Sequence, residues 1–354
     1  MVLWKRGKRL KPSVFNLPVK KIRSGWYSDK YFIRTKEVLE KANCHPIVTM
    51  QVFCRKNAAL CGVDESIAVL RLCSTKAKGL KIWALHDGEQ IKPWEPVMHI
   101  VGDYAAFVHL ETVYLGILSR RTSVATAVKK VVEAAAGKQV LFFPARFDHY
   151  AVQTGDGYAA FISGALGVST DANAAWWGEE GIGTVPHGLI AAFEGDTVKA
   201  TLAFDRYIPK SVKRVVLVDF KNDCVQTSLE VARALGKQLW GVRLDTAGEL
   251  WDKSIHRRSK TNKGVCPELV WNVRRALDRA GFRWVRIIVS GGFTAERIAK
   301  FIDEKVPFDA VGVGSTFFRE KIDFTADIVK VNGKDCAKIG RRFYENKHLK
   351  LVRF

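Results

Sequence analysis

The chain has no apolar run of the roughly 18 residues that a membrane-crossing helix needs, so no span is expected. Its first residues, Met1–Lys11, carry charges with no apolar stretch behind them, which is not the pattern of a secretory signal. Seven cysteines occur, an odd number with no CxxC pair. A disulfide framework and a zinc module are both disfavoured, and reduced, mostly buried thiols in a cytoplasm are expected. Internal repeats and low-complexity segments are missing. Acidic residues are also scarce: 36 against 57 Lys and Arg, a net charge of +21. Such an excess attracts polyanions, whether nucleic acid, an acidic surface or phosphorylated small molecules. The densest basic runs are Lys5, Arg6, Lys8, Arg9 and Lys11, and then Lys253, His256, Arg257, Arg258, Lys260 and Lys263. No nucleic-acid motif accompanies either run. They read as a solvated tail and a solvated loop, although the loop can also help hold a polyphosphate. A basic polyanion- or RNA-binding protein without catalysis rests on the charge alone.

With 354 residues and 47% apolar content, the chain can bury a large core and suggests two domains. Up to about residue 120, strand and helix do not alternate cleanly. Ile47–Phe53 is apolar, Glu65–Leu72 fits a helix, and Leu80–Ala84 a strand ahead of a His86–Glu89 turn. Gln90–Val101 then reads as a strand with a proline break. Helices are expected over 106–119 and 123–136. An α+β sandwich is the natural reading. From Val140 the rhythm changes, and a short apolar strand with a polar residue at its end recurs. Val140–Phe143 ends at Arg146, Val215–Val218 at Asp219, and Leu239–Leu244, which contains Arg243, at Asp245. Val285–Val289 ends at Ser290 and Ala310–Val313 at Gly314. Helices fit over 226–235, 267–280 and 295–304. This βαβα order implies a parallel sheet, and closing it into a TIM-like α/β barrel, complete or incomplete, gathers all those ends at one mouth. The expected division is an N-terminal sandwich over 1–125, joined by 321–354, and a barrel over 126–320.

Two of the strand ends carry glycine loops: Ser290, Gly291 and Gly292 after one strand, and Gly314, Ser315 and Thr316 after the next. Thr294 can cap the helix between them. Either loop alone is an ordinary βα turn. As neighbours they suit phosphate, because glycine lets backbone N–H groups approach an anion and a helix N-terminus adds partial positive charge. The strand-end Asp carboxylates can accept hydrogen bonds from ribose hydroxyls or hold Mg²⁺ through water. The Arg side chains can clamp phosphate or carboxylate. Together these point to a phosphorylated sugar. His187, in a Gly183–Gly188 loop beside a helical run, can be a base, a nucleophile, a phosphate ligand or none of these. His149 invites the same caution.

At this point the order of motifs resembles the nicotinate phosphoribosyltransferase family over nearly the whole chain. Ser28–Tyr31 is similar to its Thr-Asp-x-Tyr segment. Glu111–Thr112, Leu115–Leu118 and Ser123–Thr126 resemble its "ET…LGIL…S-x-A-T" helices. Phe143–Arg146 is similar to its Phe-Gly-x-Arg, with Pro144 for glycine. Gly183–His187 matches Gly-Thr-x-x-His, and Val218–Asp219 a Val-Asp-Thr strand end with Phe220 for threonine. Gly241–Thr246 matches Gly-Val-Arg-Leu-Asp-Ser/Thr, followed here by one extra residue before Leu250. Ser290–Gly292 and Gly312–Ser315 match its two phosphate loops, and Asp323–Val329 with Lys338–Arg341 resemble its closing segment.

The resemblance implies the quinolinate-type phosphoribosyltransferase fold. It implies an ATP-dependent, ligase-type enzyme of NAD biosynthesis that joins nicotinate to phosphoribosyl pyrophosphate, releasing pyrophosphate. ATP would be coupled through a phosphorylated His187, with Asp219 and Asp245 serving ribose and Mg²⁺. Phe143 would pack on the pyridine ring, with Tyr31 reaching its other face from the partner of a homodimer. Arg146 and Arg243 would hold phosphate or carboxylate. Ser290, Gly291, Gly292, Gly312, Gly314 and Ser315 would hold the 5′-phosphate. Base selection is expected around Ser169–Asp171, where Ser169 suits a carboxylate and Asp171 an amide. Nicotinamide and quinolinate phosphoribosyltransferases are the nearest alternatives.

Overall fold

The computed structural model describes residues 9–353. The chain divides into two compact units. The described part of the first comprises 9–127, 158–163 and 320–353, and the second comprises 128–157 and 164–319. The described residues contain strands β1 (Ile47–Cys54), β2 (Ala58–Ala59), β3 (Lys81–Ala84), β4 (Gln90–Ile91), β5 (Pro96–Asp103), β6 (Gln139–Phe142) and β7 (Gly167–Val168). They continue with β8 (Arg214–Leu217), β9 (Leu239–Leu244), β10 (Arg286–Val289), β11 (Ala310–Val313), β12 (Phe324–Val331), β13 (Lys334–Asp335) and β14 (Lys350–Leu351).

The first unit is an α+β layer built on an antiparallel sheet in the order β13-β12-β1-β5-β3-β14. β1 is central because it is apolar along its length and pairs on both sides, with Val52 opposite Met98 and Ala326. The tail therefore returns to the N-terminal sheet, after which Asn332 and Gly333 turn at positive φ. Helix Val63–Cys73 packs Ile67, Val69 and Leu70 into the core with Val52, Ile82 and Ile100. Two sequence expectations change here. The helices expected over 106–119 and 123–136 are one helix, Glu111–Ala134, after short turns over 104–110. That span has no proline, and the Thr122 hydroxyl donates to Cys61 O (2.9 Å) instead of competing for its own helix. Nor is the N-terminal basic run wholly solvated. Arg9 pairs with Asp64 at 2.8 Å and donates to the carbonyls of Ala84 and Leu85, while Lys5, Arg6 and Lys8 lie outside the described residues.

The second unit is a curled parallel sheet in the order β7-β6-β11-β10-β9-β8. Its strands are buried with little alternation, as expected when both faces are covered. Register places the ends level. Val289 pairs with Leu244 and Val311, Phe142 with Val313, and Leu217 with Arg243. Asp219, Asp245, Ser290, Gly314 and Phe143 thus emerge at one end of the sheet. The curl is an incomplete barrel. Between edge strands β7 and β8 runs an irregular segment in which Ile182 N donates to Val168 O (2.8 Å) and Val185 bridges Val216. Helix Ala295–Asp303 follows β10. Thr294 caps it by accepting from Arg297 N (3.3 Å), and Ile298 and Phe301 are buried. Helix Cys224–Leu235 starts before the expected 226, because the Asp223 carboxylate caps it.

No described helix is long and apolar enough to cross a membrane. All seven cysteines are free, five of them buried.

Candidate active site

A cavity of about 720 Å³ opens at the level strand ends of the second unit. Phe143, Arg146, Ser169, His187, Arg243, Asp245, Ser290, Gly291, Gly292, Gly312, Gly314 and Ser315 all line it. A neighbouring cavity of about 580 Å³ within the same unit shares the wall formed by Phe143, Gly183, Thr184 and Arg243. A larger groove, of about 830 Å³, lies in the first unit and carries none of the expected site residues.

Asp219 stands just behind the wall. Val218 N donates to Arg243 O (3.2 Å), extending the ladder by one residue and leaving the Asp219 carboxylate almost buried. It lies 2.9 Å from His187 Nε2. His187 opens the short helix His187–Ala192 directly after Pro186, so the ring is set by a helix start rather than a mobile loop. The hydrogen bond to Asp219 raises the imidazole's pKa above its ordinary value, partial burial opposes this, and the charges of Asp219 and Asp245 add to the rise. A carboxylate only accepts, so in the neutral ring the proton sits on Nε2 and Nδ1 carries the lone pair.

Arg243, Ser290 and Asp245 form one chain. Arg243 Nε donates to Ser290 Oγ (2.8 Å), and Ser290 Oγ donates to Asp245 Oδ1 (2.6 Å). Ser290 N already donates to Leu244 O (2.9 Å). Ser290 is therefore a bridge between two strand ends and keeps no donor for a ligand. The Arg243 guanidinium lies 5.0 Å from the Phe143 ring centre. Burial pushes it down from its ordinary pKa, and Asp245 and Asp219 offset part of that.

The glycine loops differ in their reasons for glycine. Gly291 and Gly292 sit at φ +90° and +71°, where a side chain is strained. Gly312 and Gly314 instead make room for rings. A Cβ on Gly312 would stand 2.7 Å from Phe143, and one on Gly314 2.7 Å from Phe147.

Ser169 follows the two-residue strand β7. Its hydroxyl is buried with no hydrogen-bond partner, although it belongs to the cavity wall. Thr170 and Asp171 are committed elsewhere: Thr170 Oγ1 caps the next helix, and Asp171 accepts from Gly181 N (2.8 Å). Arg146 projects from a tight turn after Pro144, whose φ of −90° is negative, so this turn does not require a glycine. Tyr31 does not line the cavity. It lies in the first unit and is 60% exposed. His149 caps its own turn by accepting from Ala151 N (3.2 Å).

The wall also contains residues that the sequence did not single out: Phe147, and Ala247 and Gly248 in the turn after β9. Phe147 had a signal, an aromatic residue one position past the strand-end Arg146. The basic loop 253–263 is exposed as expected, yet organised. Trp251 Nε1 donates to Ser259 O (2.8 Å) and Asn262 Oδ1 (3.1 Å), and Asn262 Nδ2 to Arg257 O (2.8 Å).

No three His, Cys, Asp or Glu side chains among the described residues are grouped to hold a metal. Asp219 and Asp245 each keep Oδ2 without a partner among the described residues. That donor set fits magnesium, which takes one or two carboxylates and completes its shell with water and phosphate oxygens.

Residues 29–122 match the family model for the N-terminal domain of quinolinate phosphoribosyl transferase. The crystal structure of a nicotinate-nucleotide pyrophosphorylase from Pyrococcus furiosus is 35% identical with a TM-score of 0.80, and the match covers 96% of this chain and 85% of that one. The chain belongs to the quinolinate and nicotinate phosphoribosyltransferase family. Two family members from Mycobacterium tuberculosis, the nicotinate phosphoribosyltransferases pncB1 and pncB2, are 31% and 29% identical over 248 and 237 residues. These alignments take in 69% and 66% of the chain, which spans about half the length of those relatives, 51% and 47%. A human nicotinic acid phosphoribosyltransferase shares the fold at a TM-score of 0.68 and 16% identity, over 88% of this chain and 76% of that one.

Proposed function

We propose that the chain transfers a phosphoribosyl group from phosphoribosyl pyrophosphate to nicotinate, giving nicotinate mononucleotide and pyrophosphate, as a cytoplasmic enzyme of NAD synthesis. The observation that carries this reading is the meeting, at one cavity, of a bare glycine loop, a half-buried cation–carboxylate chain and a histidine backed by Asp219. The Mycobacterium tuberculosis relatives, both nicotinate phosphoribosyltransferases by name, support nicotinate as the base. So does Ser169, whose unpaired hydroxyl can donate to a carboxylate, whereas Asp171, which would suit an amide, is not part of the cavity wall and accepts from Gly181 N. Quinolinate would need further cations for its second carboxylate. Of the two wall arginines, Arg243 is already engaged by Ser290 and Asp245.

Displacement at the sugar C1 passes through an oxocarbenium-like state with charge departing on pyrophosphate. Donors aimed where that charge develops are worth most in a water-poor site, and Arg243 and Arg146 are the cations on this wall. The ring nitrogen is a weak nucleophile, so its orientation matters. The Phe143 ring, held between Gly312 and Arg243, supplies one face. We assign the other face to Tyr31 of a second copy in a homodimer, consistent with its exposure here. Asp219 and Asp245 would meet the ribose hydroxyls and hold magnesium with their free oxygens. Magnesium, when bound, screens the pyrophosphate charge.

ATP is coupled in this reading through His187. Its Nδ1 attacks the γ-phosphorus, the bond to the bridging oxygen breaks, and ADP leaves with that electron pair. Asp219 stabilises the positive charge that the ring gains. Hydrolysis of the phosphohistidine returns inorganic phosphate. Incubation with γ-labelled ATP should leave acid-labile phosphate on the wild type and none on His187→Ala. Equal labelling of both would remove His187 from the reading.

A further inference from the structure

Arg297 is a polar residue near the cavity to which nothing above gives a task. It lies in the first turn of helix Ala295–Asp303 and turns back toward the glycine loop. Its Nη1 donates to Gly291 O (2.8 Å) and, more weakly, to Gly292 O (3.4 Å). Its Nη2 donates to Val265 O (2.6 Å), just past the basic loop. The guanidinium centre stacks 4.2 Å from the Phe293 ring centre. No carboxylate pairs with it among the described residues, and burial pushes its pKa down. A cation that is partly buried without a counter-ion is costly unless it serves something. The third carbonyl of the loop, Phe293 O, is also held, by Thr316 Oγ1 (2.9 Å) of the second glycine loop.

Three successive peptides, 291–292, 292–293 and 293–294, thus have their carbonyls held by side chains. In a planar trans peptide the N–H points opposite to the C=O. The N–H groups of Gly292, Phe293 and Thr294 are therefore turned away from Arg297 and Thr316. None of the three finds an acceptor among the described residues, and Gly291 and Gly292 belong to the cavity wall. Unpaired backbone donors beside a cavity suit an anion, and of these Gly292 N belongs to a wall residue.

We propose that Arg297 is a positioning residue for the phosphate cradle. It clamps the Gly291 and Gly292 carbonyls so that the N–H groups of the same peptides are set before the ligand arrives, and it ties this loop to Val265, at the end of the 251–264 segment. The proposal rests on the reading of the loop as the seat of the 5′-phosphate. Arginine is needed for its planar fork. A lysine puts its three donors on a single atom and lacks the fork that reaches Gly291 O and Val265 O from two nitrogens.

The test is binding of ribose 5-phosphate by calorimetry, then steady-state kinetics, on the wild type, Arg297→Lys and Arg297→Met, with melting temperature followed for each. Wild-type binding is expected. The dissociation constant and the KM for phosphoribosyl pyrophosphate should rise by roughly tenfold to a hundredfold in Arg297→Met, the range that outer partners of a site's ligands command. The rise should be smaller in Arg297→Lys, while the KM for nicotinate stays near that of the wild type. If the wild type binds ribose 5-phosphate and both variants bind it equally well, the cradle stands and the role of Arg297 falls. If the wild type does not bind it, the cradle reading falls and takes the proposal with it. An equal rise in both KM values, or loss of the fold in both variants, makes Arg297 a purely structural residue and overturns the assignment.

Discussion

Gly312→Ala is the substitution whose consequence follows most directly from the geometry. The new Cβ would stand 2.7 Å from Phe143 Cδ2 and 2.8 Å from Cε2, about 0.7 Å short of ordinary contact, which begins near 3.4 Å. Gly312 lies inside β11 and is paired with Leu141 of β6, so the backbone is not free to yield. The ring must move, and the Arg243 guanidinium, 5.0 Å from its centre, narrows where it can go. Overpacking of this kind costs about 1–3 kcal/mol of stability. If the ring orients the pyridine, its displacement also removes an aromatic contact worth about 0.5–1.5 kcal/mol, or roughly a 2- to 10-fold rise in the KM for nicotinate. The KM for phosphoribosyl pyrophosphate should change little. Gly314→Ala is the contrast. It meets Phe147 just as closely, but that ring is 48% exposed and can swing into solvent, so a smaller effect on stability is expected. Chemical denaturation and initial rates with each substrate varied in turn measure both. A Gly312→Ala protein with wild-type stability and an unchanged KM for nicotinate would refute the argument.

The remaining expectations concern single groups. Because the pKa of His187 is raised chiefly by Asp219, its neutral, nucleophilic form accumulates only as pH climbs through that raised value, so ATP stimulation should increase with pH there. Asp219→Asn should move that midpoint downward, and an unmoved pH profile would contradict the pairing. The same linkage has a stability side: the bond's contribution is fully present below the ordinary imidazole value of 6.5 and is lost as pH rises through the folded-state value. The melting-temperature gap between wild type and Asp219→Asn should therefore be widest below 6.5 and close at high pH. Ser169→Ala should raise the KM for nicotinate by roughly tenfold or more, the worth of a hydrogen bond to a charged group, without opening the site to nicotinamide. Thr294→Ala should cost about 1 kcal/mol of stability through loss of its cap, read by denaturation.

Much of the site was legible because strand ends are local signals. An apolar run followed by Asp, Arg or glycine is visible in a few residues, and parallel register then brings the ends of β6, β9, β10 and β11 level. What stayed hidden depends on partners far along the chain. Strand β7 has only two residues and no pattern to read, yet it delivers Ser169. Ser290 looked like a phosphate donor until both its N–H and its hydroxyl were seen to be used within the protein, across to β9. Gly312 and Gly314 have a reason for glycine that the sequence does not show, because glycine is ambiguous there between a bare backbone and space for a ring. The Glu111–Ala134 helix was divided in two because its middle is polar, and Thr122 shows that some of those polar groups serve neighbouring backbone. Arg9 resembled tail charge but has a buried carboxylate partner.

The measurement that bears most directly on the proposed activity uses purified protein, phosphoribosyl pyrophosphate and Mg²⁺ with nicotinate, nicotinamide or quinolinate in turn, each with and without ATP. Nicotinate mononucleotide and pyrophosphate should form from nicotinate, faster with ATP, and little or no product should form from the other two bases. Absence of mononucleotide from nicotinate under both conditions would contradict the proposal.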